Sequence, residues 1–284
     1  MPIHVRAVGL FFLAFAAMTG AAGEDSPLFR FNEKAGPFDV GMKVVEQYDF
    51  SRTYVSSTND LGKPYQGERA RPLQTLIWYP GVTSNANRMT VREYTNLMDT
   101  EVNFDRPGKS NDAAKWTVAM TPSLEMPMWS VRDAQLAPGR FPVVIYAPSF
   151  SSWSWENADL CEYLASHGYV VIASPDMGAT TRDMTSDLAG IYAQARDISF
   201  LIGYAQTLPD TDTSEIAVAG FSWGGISNLF AAARDNRIDA LVALDGSMRY
   251  YAGLVKQAGD VRPDQMAIPM LYFTAGKLQV PYYG

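Results

Sequence analysis

Ser222 stands in the run Gly220-Phe221-Ser222-Trp223-Gly224-Gly225, directly after the apolar run EIAVAG and at the start of a stretch, 225–234, with helical length and spacing. A serine flanked this way by glycines can sit on a strand-to-helix turn too tight for side chains at the flanking positions, with its hydroxyl thrust out at the strand end. The chemistry such a residue serves is attack on an acyl carbon. It needs two N–H donors for the developing oxyanion, a base to take the hydroxyl proton, and a carboxylate to orient that base. The helix N-terminus behind the serine favours the negative charge that develops.

The donors and the acid have candidates. Trp223, immediately after the serine, supplies the first N–H, and the loop PSFSSW after the run FPVVIYA supplies the second, from Phe150 in preference to its neighbours Ser149 and Ser151. Asp245 closes the run DALVALDG one strand after the serine, at the same carboxyl edge, where a carboxylate either orients a base or caps a turn. Asp260 and Asp264 precede the next apolar run, and the KLQVPYYG that follows IPMLYFTAG has no carboxylate. Trp153 and Trp155, with Phe150 and Trp223, offer apolar surface; they are expected to bind substrate, with membership of the core as the alternative.

The base is the missing part. Of the two histidines, His4 lies near the N-terminus and His167 precedes Ser222 in ASHGYVV, where it suits a helix C-terminus. No histidine follows Ser222, and Gly284 comes ten residues after Thr274. The expectation is a C-terminally incomplete sequence that lacks a final strand and helix, with the base histidine beyond residue 284.

The elements that must position these residues are regular from Phe141 onward. FPVVIYA, YVVIASP, EIAVAG, DALVALDG and IPMLYFTAG read as strands; 157–166, 188–208 and 225–234 read as helices. In 188–208 the residues Ile191, Ala195, Ile198, Leu201, Ile202 and Ala205 recur on one face. Near-continuous apolar strands alternating with helices predict an α/β fold, a mostly parallel sheet covered on both faces. Before it, PLFRFNEKAGPFDVGMKVVEQYDFSRTYVSS and RPLQTLIWYP read as opening strands. The stretch 81–139, with Trp116 and Trp129, has no clear period and is either a cover over a cleft or a surface excursion.

Composition narrows the function classes. With 47% hydrophobic and 19% charged residues the chain is globular, and its net charge of −7 argues against nucleic acid as a partner. Residues 1–23 combine Arg6, an apolar run from Val8 to Ala17 and small residues up to Gly23, the pattern of a secretory signal rather than a stable membrane span. The expected organisation is therefore 1–23 signal and 24–284 one domain, secreted or periplasmic. The lone cysteine, Cys161, lies among apolar residues of a helix and reads as packing.

AGPFDVG, RPLQTLIWYP, FPVVIYAP, LASHGYVVIASPD, GFSWGG and ALDGSM, taken in order, resemble the platelet-activating-factor acetylhydrolase and dienelactone-hydrolase-like branch of the α/β-hydrolases, over half to two thirds of the chain. The resemblance implies a Ser-Asp-His triad, carried here by Ser222 and Asp245 with the histidine unmatched, and oxyanion donors at Trp223 and Phe150. Relatives have His-Gly where this chain has Pro148-Ser149, and dienelactone hydrolases proper carry a cysteine nucleophile, so Ser222 points to the esterase side. The implied activity is that of a serine carboxylesterase working without metal or organic cofactor on a small-molecule, lipid or polyester ester. A non-catalytic binding protein and a serine peptidase on the same fold are the alternatives, and nothing in the sequence fixes the oligomeric state.

Overall fold

A computed structural model describes residues 29, 31–58, 64–104, 118 and 120–274. The expected signal at 1–23, His4, Trp116 and the segment 275–284 lie outside the described residues. The chain forms an eight-stranded sheet in the order β3-β1-β2-β5-β4-β6-β7-β8. Its first two strands, β1 (Asp39–Thr58) and β2 (Pro64–Gly81), make a long antiparallel hairpin. The short β3 (Ser130–Arg132) pairs with β1, and β2 pairs antiparallel with β5.

The regular half is parallel, as the alternation of strands and helices predicts. It comprises β4 (Phe141–Ala147), β5 (Val170–Ala173), β6 (Thr211–Phe221), β7 (Ala240–Leu244) and β8 (Met270–Phe273). Its register decides where the chemistry sits. Ala147 lies beside Gly220, Phe221 beside Leu244, and Leu244 beside Phe273. The residues that follow each strand therefore leave the sheet side by side at one edge, bringing Pro148, Ser222 and Asp245 together.

Side chains alternate between two cores, the two-residue period of a strand buried on both faces. Val143 and Ile145 of β4 and Ile172 of β5 point to the first core, with Ile191, Ile198 and Ile202 of α3 (Leu188–Ala205) and Ile226 and Phe230 of α4 (Trp223–Ala232). All six residues expected on the apolar face of the 188–208 helix are buried. Val144, Tyr146, Val171 and Ala173 point the other way, onto Ala158, Cys161 and Ala165 of α2 (Ala158–Ser166) and Val91 and Tyr94 of α1 (Val91–Asn96). Helix α2 stops at Gly168, whose φ of 95° turns the chain into β5. The described parts of 81–139 thus enter both cores, the second through Met89, Val91, Tyr94 and Met128 and the first through Ala137.

Two groups of buried polar side chains find partners inside the fold. In the second core, the Glu162 carboxylate accepts from Tyr94 Oη (2.7 Å), Ser130 Oγ (2.6 Å) and the Trp129 N–H (2.6 Å). Burial nevertheless dominates and pushes its carboxyl up to about 7. At the hairpin, the fully buried Arg71 guanidinium grips both oxygens of Asp197 at 2.8 and 2.6 Å, and Arg52 adds a second cation to Asp197 at 2.6 Å while pairing with Asp49.

Candidate active site

Ser222 is the N-cap of α4 and its backbone lies at φ 50°, ψ −108°, a conformation that side-chain-bearing residues rarely adopt. What holds it there is a set of backbone hydrogen bonds, two of them to the turn after β7. The Ser222 N–H donates to the Leu244 carbonyl (2.9 Å), and its own carbonyl accepts from Gly225 (3.0 Å) and Ser247 (2.7 Å). The flanking glycines are a matter of space: a Cβ on Gly220 would lie 2.5 Å from the Gly224 carbonyl oxygen and 2.7 Å from Asn228 Nδ2, and one on Gly224 would lie 2.8 Å from the Pro148 carbonyl oxygen. The half-buried Ser222 hydroxyl has the buried Ser247 hydroxyl 3.4 Å away.

Asp245 follows β7 directly, also in the left-handed region (φ 47°). Its N–H donates to the Phe273 carbonyl at 2.8 Å, which ties the turn to β8, and Tyr250 Oη lies 3.5 Å from its carboxylate. The turns bearing Ser222 and Asp245 are in contact, since a Cβ on Gly225 would come within 2.6 Å of Gly246 Cα.

Trp223 occupies the first helical position of α4, where N–H groups have no intrahelical carbonyl to meet. Its ring is buried edge-on between Phe150 and Tyr251, each with its ring centroid 5.4 Å away. That contact sets the loop after β4 beside the serine. Within the loop the N–H of Ser149 donates to Glu156 (2.8 Å) and that of Ser151 to Asp176 (2.8 Å), so both neighbours of Phe150 are committed to carboxylates. The Ser149 hydroxyl also bonds Glu156, whose carboxyl burial pushes up and these bonds pull back. Ser149 thus has a bracing partner of its own.

The tryptophans expected to bind substrate are placed differently. Trp155 is 1% exposed in the second core, against Phe29 and Tyr94, on the sheet face away from Trp223. It is a core residue, because residues 150–155 curl so that its ring falls behind the sheet. Trp153, half-buried, stacks on Trp155 at 5.1 Å and packs against that same core.

His167 caps the end of α2 with its Nδ1 2.8 Å from the Tyr163 carbonyl, exposed. It enters β5 from the amino edge, whereas Ser222 leaves β6 at the carboxyl edge of the same parallel set, so the sheet separates the two. Cys161 is fully buried, and burial drives its thiol well above the ordinary range.

The sequence reading passed over Ser247, Glu156 and a cluster beyond the loop: Asp176, Arg182 and Glu101. Asp176 lies just past the end of β5, at the same edge as Asp245, and that position was the available signal. Glu101 and Arg182 carry no local pattern that could have paired them.

A parallel sheet with a strained serine at the β6–α4 turn defines an α/β-hydrolase fold. The dienelactone hydrolase family profile matches residues 131–277, so the chain belongs to the dienelactone hydrolase family. A Synechocystis sp. protein named "Putative carboxymethylenebutenolidase" is 28% identical over 129 residues, covering 39% of this chain and 51% of the relative. The chain spans about half the length of that curated relative. Among solved structures, a ferulic acid esterase from Streptomyces cinnamoneus superposes with a TM-score of 0.55 over 85% of this chain and 74% of the other, at 21% identity, a likeness of fold.

Proposed function

We propose that this chain is the body of an exported serine carboxylesterase. The observation that carries the reading is the backbone of Ser222, a strained residue sewn by two hydrogen bonds to the turn that bears Asp245. In the proposed reaction the Ser222 oxygen attacks the ester carbonyl carbon while a histidine takes its proton. The N–H groups of Trp223 and Phe150 receive the oxyanion, and Asp245 orients the histidine. Collapse of the tetrahedral adduct expels the alcohol, which takes the proton back, and water then repeats the sequence on the acyl-enzyme. His167 is not the proposed histidine, because it sits at the opposite edge of the sheet. The apolar pattern of 1–23 supports export, and the Phe150, Trp223 and Tyr251 cluster supports an uncharged or apolar ester, among them lipid and polyester esters.

The test is hydrolysis of p-nitrophenyl esters of rising acyl length by the full-length chain and by Ser222→Ala. The substitution is expected to reduce turnover to background. Activity that survives it refutes the serine mechanism, and no activity in either protein favours a non-catalytic binding protein on this fold.

A further inference from the structure

The loop that carries Phe150 is held from one side by a group that the proposed reaction does not use. Ser151 has φ 56°, a left-handed conformation that a serine does not adopt unaided. Each of its polar groups is tied to the segment after β5. Its N–H donates to Asp176 Oδ2 (2.8 Å), its hydroxyl accepts from the Met184 N–H (3.3 Å), and its carbonyl accepts from Arg182 Nη2 (3.1 Å). Ser152 continues the pattern, its carbonyl accepting from the Asp176 N–H (2.9 Å) and from Arg182 Nη2 (3.4 Å).

Arg182 is the hub of this arrangement. Beyond the two loop carbonyls, its Nη1 donates to the Asp176 carbonyl (2.8 Å) and its Nε to Glu101 Oε2 (2.5 Å), so one planar group joins three segments of chain. The segment it belongs to is anchored in turn, because the buried Arg71 donates to the carbonyls of Met177 (3.1 Å) and Gly178 (2.6 Å). A guanidinium can satisfy several carbonyls and a carboxylate at fixed angles; an ammonium cannot.

We propose that Arg182 is a positioning residue for the oxyanion site: by holding Ser151 in its strained conformation against Asp176, it fixes the N–H of Phe150 beside that of Trp223. This rests on the serine-esterase reading and adds to it the residue that sets the second donor. Its influence falls on the transition state, where the oxyanion exists, and not on binding of the ground-state ester.

The experiment measures kcat and KM for p-nitrophenyl butyrate, and the Ki of an alkyl trifluoromethyl ketone, in the full-length chain and in Arg182→Gln, Arg182→Lys, Glu101→Gln and Ser222→Ala. The ketone forms a hemiketal whose oxyanion occupies the same site. Arg182→Gln is expected to lower kcat by about 10²-fold with KM little changed, the cost of misplacing a donor by an ångström or so. Its Ki for the ketone should rise by the same factor, a change that a loss of folded protein would not produce. Arg182→Lys, with the charge but not the fork, should fall between. Should Arg182→Gln not fold, Glu101→Gln decides, with a fall in kcat of roughly tenfold and a matching rise in Ki. Unchanged kcat and Ki in the folded variants, with Ser222→Ala inactive, overturn the role of Arg182 alone. Activity in Ser222→Ala overturns the underlying reading and this proposal with it.

Discussion

Gly225→Ala tests whether the turns that bear Ser222 and Asp245 must touch. Gly225 lies in the first turn of α4, and a Cβ there would sit 2.6 Å from Gly246 Cα, about 0.8 Å inside ordinary van der Waals contact, which begins near 3.4 Å. The atom it meets is backbone, so no side-chain rotation relieves the clash; the turn holding Asp245 and Ser247 must move away from the elbow. Two effects oppose each other. Alanine improves the intrinsic propensity of a helix interior by about 1 kcal/mol, while overpacking a tight contact costs about 1–3 kcal/mol. The clash is expected to win by up to about 2 kcal/mol, a fall in Tm of up to roughly 8 °C for a chain of this size. Catalysis should suffer more than stability, because a displacement approaching 1 Å between the proposed nucleophile, Ser222, and its proposed orienting acid, Asp245, lowers turnover by about 10- to 10²-fold. Thermal unfolding beside ester hydrolysis gives both numbers. Gly253→Ala is the control: it lies in α5 (Ala252–Ala258) with nothing within 4 Å of its added Cβ, and it should be neutral or stabilising by up to about 1 kcal/mol. Wild-type kcat in a folded Gly225→Ala would refute the claim that the two turns act as one unit.

Two further outcomes follow from the buried polar groups. Glu162 has its carboxyl raised from 4.5 to about 7, so between those values the native state keeps a proton that the unfolded chain has lost. Stability should therefore fall as pH rises through that window, by about 1.4 kcal/mol per pH unit at the steepest, and flatten above it; urea titrations from pH 4.5 to 8 should show that this component of the slope disappears in Glu162→Gln. Asp197→Asn removes the anion gripped by the fully buried Arg71 and by Arg52, and should cost about 3–5 kcal/mol in denaturant unfolding, far more than loss of the exposed Arg92–Glu125 pair.

Much of this architecture is written in local pattern. FPVVIYA is the strand Phe141–Ala147 residue for residue, and the glycines around Ser222 announce a turn that the structure forms. Asp245 was legible because a parallel sheet puts every strand end at one edge. What was not legible depends on partners far away in the chain. Asp176, Arg182 and Glu101 meet across 81 residues between the last two, and no local spacing encodes such a meeting. Trp155 misled for a related reason: its distance in sequence from Phe150 is short, but the turn at Ser151 sends it to the other face of the sheet. The hairpin strands were readable as β-rich and not in extent, since polar residues such as Arg52 and Arg71 within them share a carboxylate, Asp197, that lies far off on α3.

The hydrogen bonds between Ser222 and the turn after β7 also bear on how such a protein can be altered by evolution or by design. Ser222 gives its N–H to Leu244 and takes one from Ser247, so the spacing of Ser222 and Asp245 is set by main chain and is insensitive to most side-chain exchange nearby. The aromatic surfaces of Phe150 and Tyr251 stand outside that seam, on a loop and at a helix start, where they can change shape without disturbing it. Libraries aimed at new esters should diversify those two positions and leave 244–247 untouched, for there a change of backbone reaches the backbone of Ser222 in a single hydrogen bond.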